Sequence, residues 1–545
     1  MTDLLSMLNS PAWIDLQIFR WPVTVTYLAL MMMIGVYGLH RYWLVFLYGR
    51  HRRANPRPQQ RYEQLPRVTV QLPMFNENEV VHRIIDATCA IDYPADHLQI
   101  QVVDDSTDAS ADLARTRVDY WAKRGVDIQY LHRTDRSGYK AGALEAATGS
   151  ATGELIAIFD ADFIPPAAFL KRTVHYFTDP KLGMVQTRWS HINRNDSILT
   201  RGQAIFLDGH FVIEHTARNR SGAWINFNGT AGLWRREAIE SAGGWQHDTL
   251  TEDVDLSYRA QLAGWQFLFL PWVQCPAELP PEINAFKSQQ HRWTKGSIQT
   301  AIKLLPTVIR AEVPLKVKIE AFFHLTSPMV YLYITLFAAL FYPAISMNIK
   351  PFGQGAWLGP AAGVSLFCMG TISAAIFYIA SQRAQHRSAI GTLAQVPVLM
   401  AIGIGIALNN AIACIEALLG HESPFIRTPK YNTTTSPSSG GDADLRGVIG
   451  QVDDQVGSTP PKILRGGIAR VIPIPSMKRS VCLLELGMGF YMLACVWLSL
   501  NAPHRTISLP FLLLFASGYL YVGGTSLWVH LRVLLENRRP LPQTA

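Results

Sequence analysis

The chain has 545 residues, 49% of them hydrophobic and only 17% charged, and a net charge of +8. Those proportions count against a wholly soluble enzyme, and the length allows several domains. Much of the positive charge flanks apolar runs, at Arg41, Arg50, Arg52, Arg53, Arg383, Arg387, Arg532, Arg538 and Arg539. That fits the positive-inside bias of a membrane protein and no nucleic-acid partner. The six cysteines, Cys89, Cys275, Cys368, Cys414, Cys482 and Cys495, form no CxxC pair and are expected as buried free thiols. No basic n-region or small-residue cleavage site opens the chain, so no cleaved signal peptide is expected.

In chain order, residues 21–39 are the first run with the roughly 20 apolar residues a spanning helix needs. Residues 67–72 alternate and are β-branched, predicting a strand. The loop Pro73-Met74-Phe75-Asn76-Glu77 and an apolar-periodic helix to about Ile91 follow. Residues 98–103 predict a second strand ending at Asp104-Asp105, and 155–159 another ending at Asp160-Ala161-Asp162. Strands alternating with helices predict a largely parallel sheet covered on both faces. Ligands in such sheets sit beyond the carboxyl ends of strands. Asp160 and Asp162 then suit Mg²⁺ or Mn²⁺, hard cations that prefer oxygen, neutralising a leaving nucleoside diphosphate. A single such pair more often caps a helix; the other clusters, in fixed order, favour the metal.

Lys140, in Arg136-Ser137-Gly138-Tyr139-Lys140-Ala141-Gly142, can meet a phosphate as a point charge. Thr251-Glu252-Asp253 suits a helix N-terminus with acids in its first turn. Asp253 is also the candidate general base for a sugar hydroxyl, and both readings hold together. Gln289, Arg292 and Trp293 fall within about one helical turn. A Trp face carries a sugar ring, and Gln and Arg bond hydroxyls or a phosphate. Residues 286–310 mix Lys287, Arg292, Lys295 and Lys303 with Trp293, Ile298, Ile302 and Leu304, a pattern that suits either an interfacial helix or a surface helix.

Further apolar runs lie at 322–347, 358–380, 481–500 and 509–529. The run 393–419 is also long but carries Pro397, Asn409, Asn410 and Glu416. Were it to cross, the basic segment 421–479 and the basic C-terminal residues would lie outside, against the charge bias. It is therefore expected as an interfacial or re-entrant helix, giving five spans, an outside N-terminus and a cytoplasmic polar domain in an inner or plasma membrane. The Ser/Thr/Gly-rich residues 433–441 predict a flexible insert.

Four clusters carry a family resemblance: Val103-Asp104-Asp105-Ser106, Asp160-Ala161-Asp162, Thr251-Glu252-Asp253 and Gln289-Gln290-His291-Arg292-Trp293. In that order within a membrane protein they resemble the processive family-2 glycosyltransferases of the cellulose synthase superfamily, from about Val68 to Trp293. The resemblance implies an α/β GT-A-type cytosolic domain, Rossmann-like and mostly parallel, inserted in a multi-span α-helical membrane domain. The implied divisions are an N-terminal span (1–49), the glycosyltransferase domain (50–318), two spans and an interfacial helix (319–420), a gating-loop segment with a flexible insert (421–479), and two spans with a short tail (480–545).

The implied roles are nucleotide-sugar binding at Asn76, Glu77, Asp105, Lys140, Asp160, Gln289, Arg292 and Trp293, metal binding at Asp160 and Asp162, and base catalysis at Asp253. Acceptor contacts fall on Asn228, Gly229, Thr251, Glu252 and Trp293. Phe425-Ile426-Arg427-Thr428-Pro429-Lys430 resembles the family's gating loop, with Phe425, Arg427, Thr428 and Lys430 as its contacts.

The expected reaction is inverting, metal-dependent transfer of a hexose from UDP-glucose or GDP-mannose to a growing β-linked polysaccharide, exported through the protein's own membrane domain. An accessory export subunit or a homo-oligomer is compatible, and no cyclic-di-GMP module is expected. Phe227-Asn228-Gly229-Thr230-Ala231-Gly232, Ala242-Gly243-Gly244-Trp245 and Val185-Gln186-Thr187-Arg188-Trp189 are closest to the mannan or glucomannan synthase-like branch, and bacterial β-1,3- and mixed-linkage glucan synthases share several of these strings. Two alternatives remain: a non-processive transferase acting on a lipid, and a channel carrying an inactive domain.

Overall fold

The computed structural model describes residues 16–347, 368–423, 427–432, 479–501 and 509–536. The chain divides into two units, one of Met1–Trp43, Ser327–Ile415 and Met477–Ala545, the other of Leu44–Thr326 and Glu416–Ser476. The predicted flexible insert and Phe425 lie outside the described residues, as does the first part of the apolar run at 358–380.

The second unit is built on seven strands: β1 (Val68–Met74), β2 (Leu98–Asp104), β3 (Ile128–His132), β4 (Leu155–Ile158), β5 (Leu182–His191), β6 (Gly232–Arg235) and β7 (Gln266–Ala277). Their order in the sheet is β3-β2-β1-β4-β6-β5-β7. β1, β2, β3 and β4 pair in parallel, β6 runs antiparallel to both β4 and β5, and β7 is parallel to β5. The sheet is thus GT-A-like and mixed. The expected parallel arrangement holds for every strand except β6, which reverses once in the middle.

Burial on both faces makes these strands near-continuous apolar runs. In β4, Leu155 and Ala157 join one core cluster with Val68, Val70 and Leu72, while Ile156 and Ile158 join another with Phe227, Trp234 and Phe269. The period of two sends alternate residues to opposite faces, so the sheet separates two apolar layers. The polar residues of β1 on the second face are paired across strands. Thr69 donates to Gln99 Oε1 at 2.7 Å and Gln71 to Gln101 Oε1 at 3.1 Å.

Among the described residues three helices are long and apolar enough to cross a membrane: Phe19–His51, Ser480–Asn501 and Leu509–Leu535. The number rises to five if two bent pairs each count as one span, Leu315–Thr326 with Met329–Ala339 and Ala389–Gly405 with Ala407–Leu418. The second pair bends by 41° within the run that carries Pro397, Asn409 and Asn410. Small residues allow close helix approach. A Cβ on Gly405 would lie 2.4 Å from the Gly518 carbonyl oxygen, and one on Gly518 2.4 Å from that of Ala401. Cys89, Cys275, Cys414, Cys482 and Cys495 are free thiols.

Candidate active site

With β6 alone reversed, the carboxyl ends of β1, β2, β4, β5 and β7 and the start of β6 share one edge of the sheet. A cleft with about 1220 Å³ of empty space opens there. It is the position expected for a ligand in an α/β sheet. Every residue given a catalytic, binding, metal or gating role from the sequence lines it except Asn76 and the undescribed Phe425. Asn76 instead ties two loops together: its backbone N–H donates to Ser106 Oγ at 2.8 Å and its Oδ1 accepts from Thr107 N at 2.9 Å.

The two aspartates after β2 divide their work. Asp104 is fully buried and accepts from Tyr130 OH at 2.7 Å and Ser106 N at 2.9 Å, so it closes the turn. Asp105 reaches the cleft, held by a bidentate pair with Arg133 at 2.7 and 2.6 Å. After β4, Lys140 Nζ donates to Asp160 Oδ1 at 2.6 Å and to the Gly229 carbonyl at 2.8 Å. Glu252 Oε1 lies 3.8 Å from the same ammonium. Burial works against the charge of Lys140, but Asp160 and Glu252 outweigh it and raise its pKa.

Asp162 pairs through Oδ2 with Lys430 Nζ at 2.6 Å. Its Oδ1 is buried without a hydrogen-bond partner. That orphaned oxygen beside Asp160 fits a hard divalent cation. Among the described residues no cluster of three or more His, Cys, Asp or Glu side chains can hold an ion alone. This matches Mg²⁺-type sites in which one or two carboxylates and a ligand's phosphates share the metal.

Residues 427–432 are fastened to the cleft by buried acids. Arg427 lies 3.4 Å from Glu77 Oε1, Lys430 pairs with Asp162, and Tyr431 N donates to Glu278 Oε1 at 2.8 Å. Arg83 bonds both Glu278, at 3.4 Å, and Asn432 Oδ1, at 3.0 Å. Burial pushes the Glu77 carboxyl up to about 7, against Arg427 and Lys430.

Asp253 sits in the first turn of the helix Glu252–Leu262 and accepts from Val254 N at 2.9 Å. Burial and the neighbouring Glu252 push its carboxyl up to about 7, with Lys140 opposing. Gly229, at φ 77°, packs onto this group: a Cβ there would lie 3.2 Å from Asp253 Oδ2 and 3.3 Å from Lys140 Nζ. Thr251 occupies the N-cap position but makes no side-chain cap. Its hydroxyl lies 3.3 Å from Thr300 Oγ1 instead.

Thr300 belongs to the helix Ile283–Arg310, which Glu282 caps by accepting from Asn284 N at 2.7 Å and Ala285 N at 2.9 Å. Gln289, Arg292 and Trp293 stand at i, i+3 and i+4 and share the face that lines the cleft. Trp293 lies 6.5 Å, ring to ring, from Trp189 at the end of β5. His291 and Lys295 instead hold Glu416, at 3.1 and 3.0 Å.

Sequence reasoning missed Arg133, Arg136, His191 and Glu278. Arg136 stacks 3.3 Å from the Phe75 ring centroid. It stood inside the Lys140 motif, and Phe75 inside the quoted loop, so an Arg–aromatic pair was available as a signal. Trp189 had been noted only as part of a branch-specific string.

The mixed sheet of the second unit thus gathers acids and bases at its carboxyl edge. Residues 66–296 match the family described as Glycosyltransferase like family 2. "Probable glucomannan 4-beta-mannosyltransferase 6" of Oryza sativa subsp. japonica is 43% identical over 252 residues, 45% of this chain and 44% of that protein. "Glucomannan 4-beta-mannosyltransferase 9" of Arabidopsis thaliana is 46% identical over 236 residues, 42% of this chain and 44% of that protein. The chain thus spans less than half the length of these curated relatives. A solved structure, "Mannosyltransferase PcManGT from Pyrobaculum calidifontis in complex with GDP-Man and Mn2+", is similar over 66% of this chain and 97% of its own, with 23% identity and a TM-score of 0.48.

The Thr251–Asp253 turn rests directly on Gly296, where a Cβ would lie 2.5 to 2.8 Å from Thr251. Gly296→Val is therefore expected to destabilise the protein by about 2 kcal/mol through overpacking. Thermal unfolding in detergent checks this, and an unchanged midpoint would refute the packing.

Proposed function

We propose that the chain is an inverting β-glycosyltransferase that takes a hexose from a nucleotide sugar, GDP-mannose or UDP-glucose, and adds it to a growing β-linked glycan. The observation that carries this is Asp253: a buried carboxyl raised to about 7, beside Lys140 and Arg292, in a cleft whose other acids are paired. The names of the plant relatives favour mannose as the sugar.

The chemistry follows from the groups present. An acceptor hydroxyl loses its proton to Asp253 as its oxygen bonds the anomeric carbon. The bond from that carbon to the diphosphate breaks on the opposite face, so an α-linked donor yields a β-linked product. Negative charge grows on the leaving diphosphate, and Lys140, Arg292, Arg427 and Lys430 line the cleft to meet it. A bound Mg²⁺ or Mn²⁺, held by Asp160 and Asp162, would add Lewis-acid neutralisation of that diphosphate. Trp293 and Trp189 offer aromatic faces for sugar rings. Asp105 and Glu77 lie on the side of the cleft beyond β1 and β2, suited to the nucleotide.

Processive synthesis and export belong to the same proposal. The apolar helices long enough to cross a membrane support it, with the catalytic unit in the cytoplasm, where sugar nucleotides are made. The segment 427–432, fastened by Glu77, Asp162 and Glu278, would act as the gating loop.

Four predictions test the chemistry. A base must be deprotonated, so kcat/KM is expected to fall about tenfold per pH unit below about 7. Asp253→Asn is expected to lower kcat by about 10²–10⁴-fold while leaving GDP binding unchanged. Full turnover by that variant would remove the base assignment. Chelation by EDTA should abolish transfer, and Mn²⁺ should restore it. Asp162→Asn should weaken Mn²⁺-dependent binding of GDP-mannose by about tenfold or more in calorimetry; equal affinity with and without the ion would exclude the metal site.

A further inference from the structure

A buried polar network behind the cleft has no part in the chemistry so far. It begins at a π-helical turn, Gly209–His215, between the α-helices Ile198–Asp208 and Thr216–Ser221. In an α-helix of 3.6 residues per turn, residues five apart point away from each other. The wider π turn brings His210 and His215 together, with their Nε2 atoms 3.0 Å apart. Single π turns of this kind concentrate at functional sites.

Both imidazoles meet the carboxamide of Asn228, which lines the cleft one residue before Gly229. His210 Nε2 lies 2.9 Å from Asn228 Oδ1, and His215 Nε2 lies 2.9 Å from Asn228 Nδ2. The other nitrogen of His210, Nδ1, lies 3.0 Å from Glu214 Oε2, and Arg218 Nη1 lies 3.3 Å from the same oxygen. Burial works against the Glu214 charge, but Arg218 and His210 hold its carboxyl below the usual range. Glu214 can only accept, so His210 Nδ1 carries a proton towards it; Nε2 donates to Asn228 Oδ1 as well when the ring holds both protons, the imidazolium form this arrangement calls for.

His215 completes the clamp as an acceptor. Its Nε2 faces the amide hydrogens of Asn228, so its ring proton belongs on Nδ1, which is buried without a hydrogen-bond partner. Burial, His210 and Arg218 hold His215 neutral, as an accepting nitrogen requires. An unpaired buried N–H is a cost, and here it accompanies a fixed amide orientation.

A carboxamide has two hydrogens and two lone pairs. The histidines take one of each, and Asn226 approaches only at 3.4 and 3.5 Å. Both bonds to Asn226 are long, and a ligand hydroxyl in the cleft, beside Gly229 and the neighbouring Asp253 carboxyl, can replace them. We propose that His210 and His215 are positioning residues that lock the Asn228 carboxamide, so that it presents a donor and an acceptor to a hydroxyl of the acceptor sugar next to Asp253. The identity of the ligand as a sugar rests on the function proposed above.

The test uses the full chain in detergent and binding of mannotetraose and of cellotetraose, followed by tryptophan fluorescence. His210→Gln carries its amide near the Nε2 position and can still donate to Asn228. His210→Asn reaches only towards Glu214. His210→Gln should keep oligosaccharide affinity within about threefold, and His210→Asn should lose about tenfold, with GDP affinity unchanged in both. His210→Asn combined with Asn228→Ala should bind no more weakly than Asn228→Ala alone, since the histidine acts through that side chain. Equal behaviour of the two His210 variants, additive losses in the double variant, or a parallel loss of GDP affinity would overturn the assignment. So would a wild-type protein that binds neither oligosaccharide. Sugar release from GDP-mannose and UDP-glucose by the same wild-type sample reports separately on the proposed function.

Discussion

The second unit depends on one electrostatic constraint: several carboxylates stand at a single sheet edge, partly out of water, and each needs a counter-charge. A desolvated carboxylate left alone costs several kcal/mol, and breaking a buried pair costs about 3–5 kcal/mol. The cleft meets that demand from distant parts of the chain. Arg133 follows β3 and serves Asp105; Lys140 opens the next helix and serves Asp160 and Glu252; Arg427 and Lys430 serve Glu77 and Asp162. The same cations that hold the edge together are those a diphosphate would meet under the proposed function. The pairs stabilise the fold and, on that proposal, would also pre-organise the site for an anion with its metal.

Backbone geometry decides which groups can reach this edge. The reversal at β6 brings the turn Asn228-Gly229-Thr230 to the carboxyl ends of its neighbours, where a sixth parallel strand would have carried it to the far side. Thr230 Oγ1 then accepts from Asp160 N at 2.9 Å. Gly229 fits between Lys140 and Asp253 because its positive φ and missing side chain allow it. Gly296 does the same for Thr251 from the long helix. Two glycines thus set the spacing between the Thr251–Asp253 turn and its surroundings.

What could be read from the sequence follows from what is local. β1, β2 and β4 were legible because each is a short buried run of aliphatic and β-branched residues, regularly alternating in β1, and β2 and β4 lead straight into aspartates. β6 has only four residues, β7 is interrupted by Pro271, and β5 carries register shifts at Leu182/Met184 and Thr187/Arg188. None of these keeps the simple period on which strand prediction relies. The acids of the site were legible from their clusters, but their partners were not. Glu77 and Arg427 lie 350 residues apart, and no local pattern links them. The Asp104-Asp105 pair also looks uniform in sequence, yet one member closes a turn and the other faces the cleft.

Asp253 brings the opposing forces together. The N-terminus of a helix favours a carboxylate by roughly 0.3–1 kcal/mol at exposed sites, and the Val254 amide and Lys140 also favour the charge. Together these would lower an exposed Asp. The direction is upward, to about 7, so burial and the Glu252 charge outweigh everything opposing them. The balance is useful only in this arrangement. Placed in water, the same carboxyl would be too weak a base near neutral pH; buried without Lys140 and the helix terminus, it would stay protonated. Holding Glu252 close, with Lys140 shared between them, therefore tunes Asp253 to a proton affinity near that of the medium in which it would work.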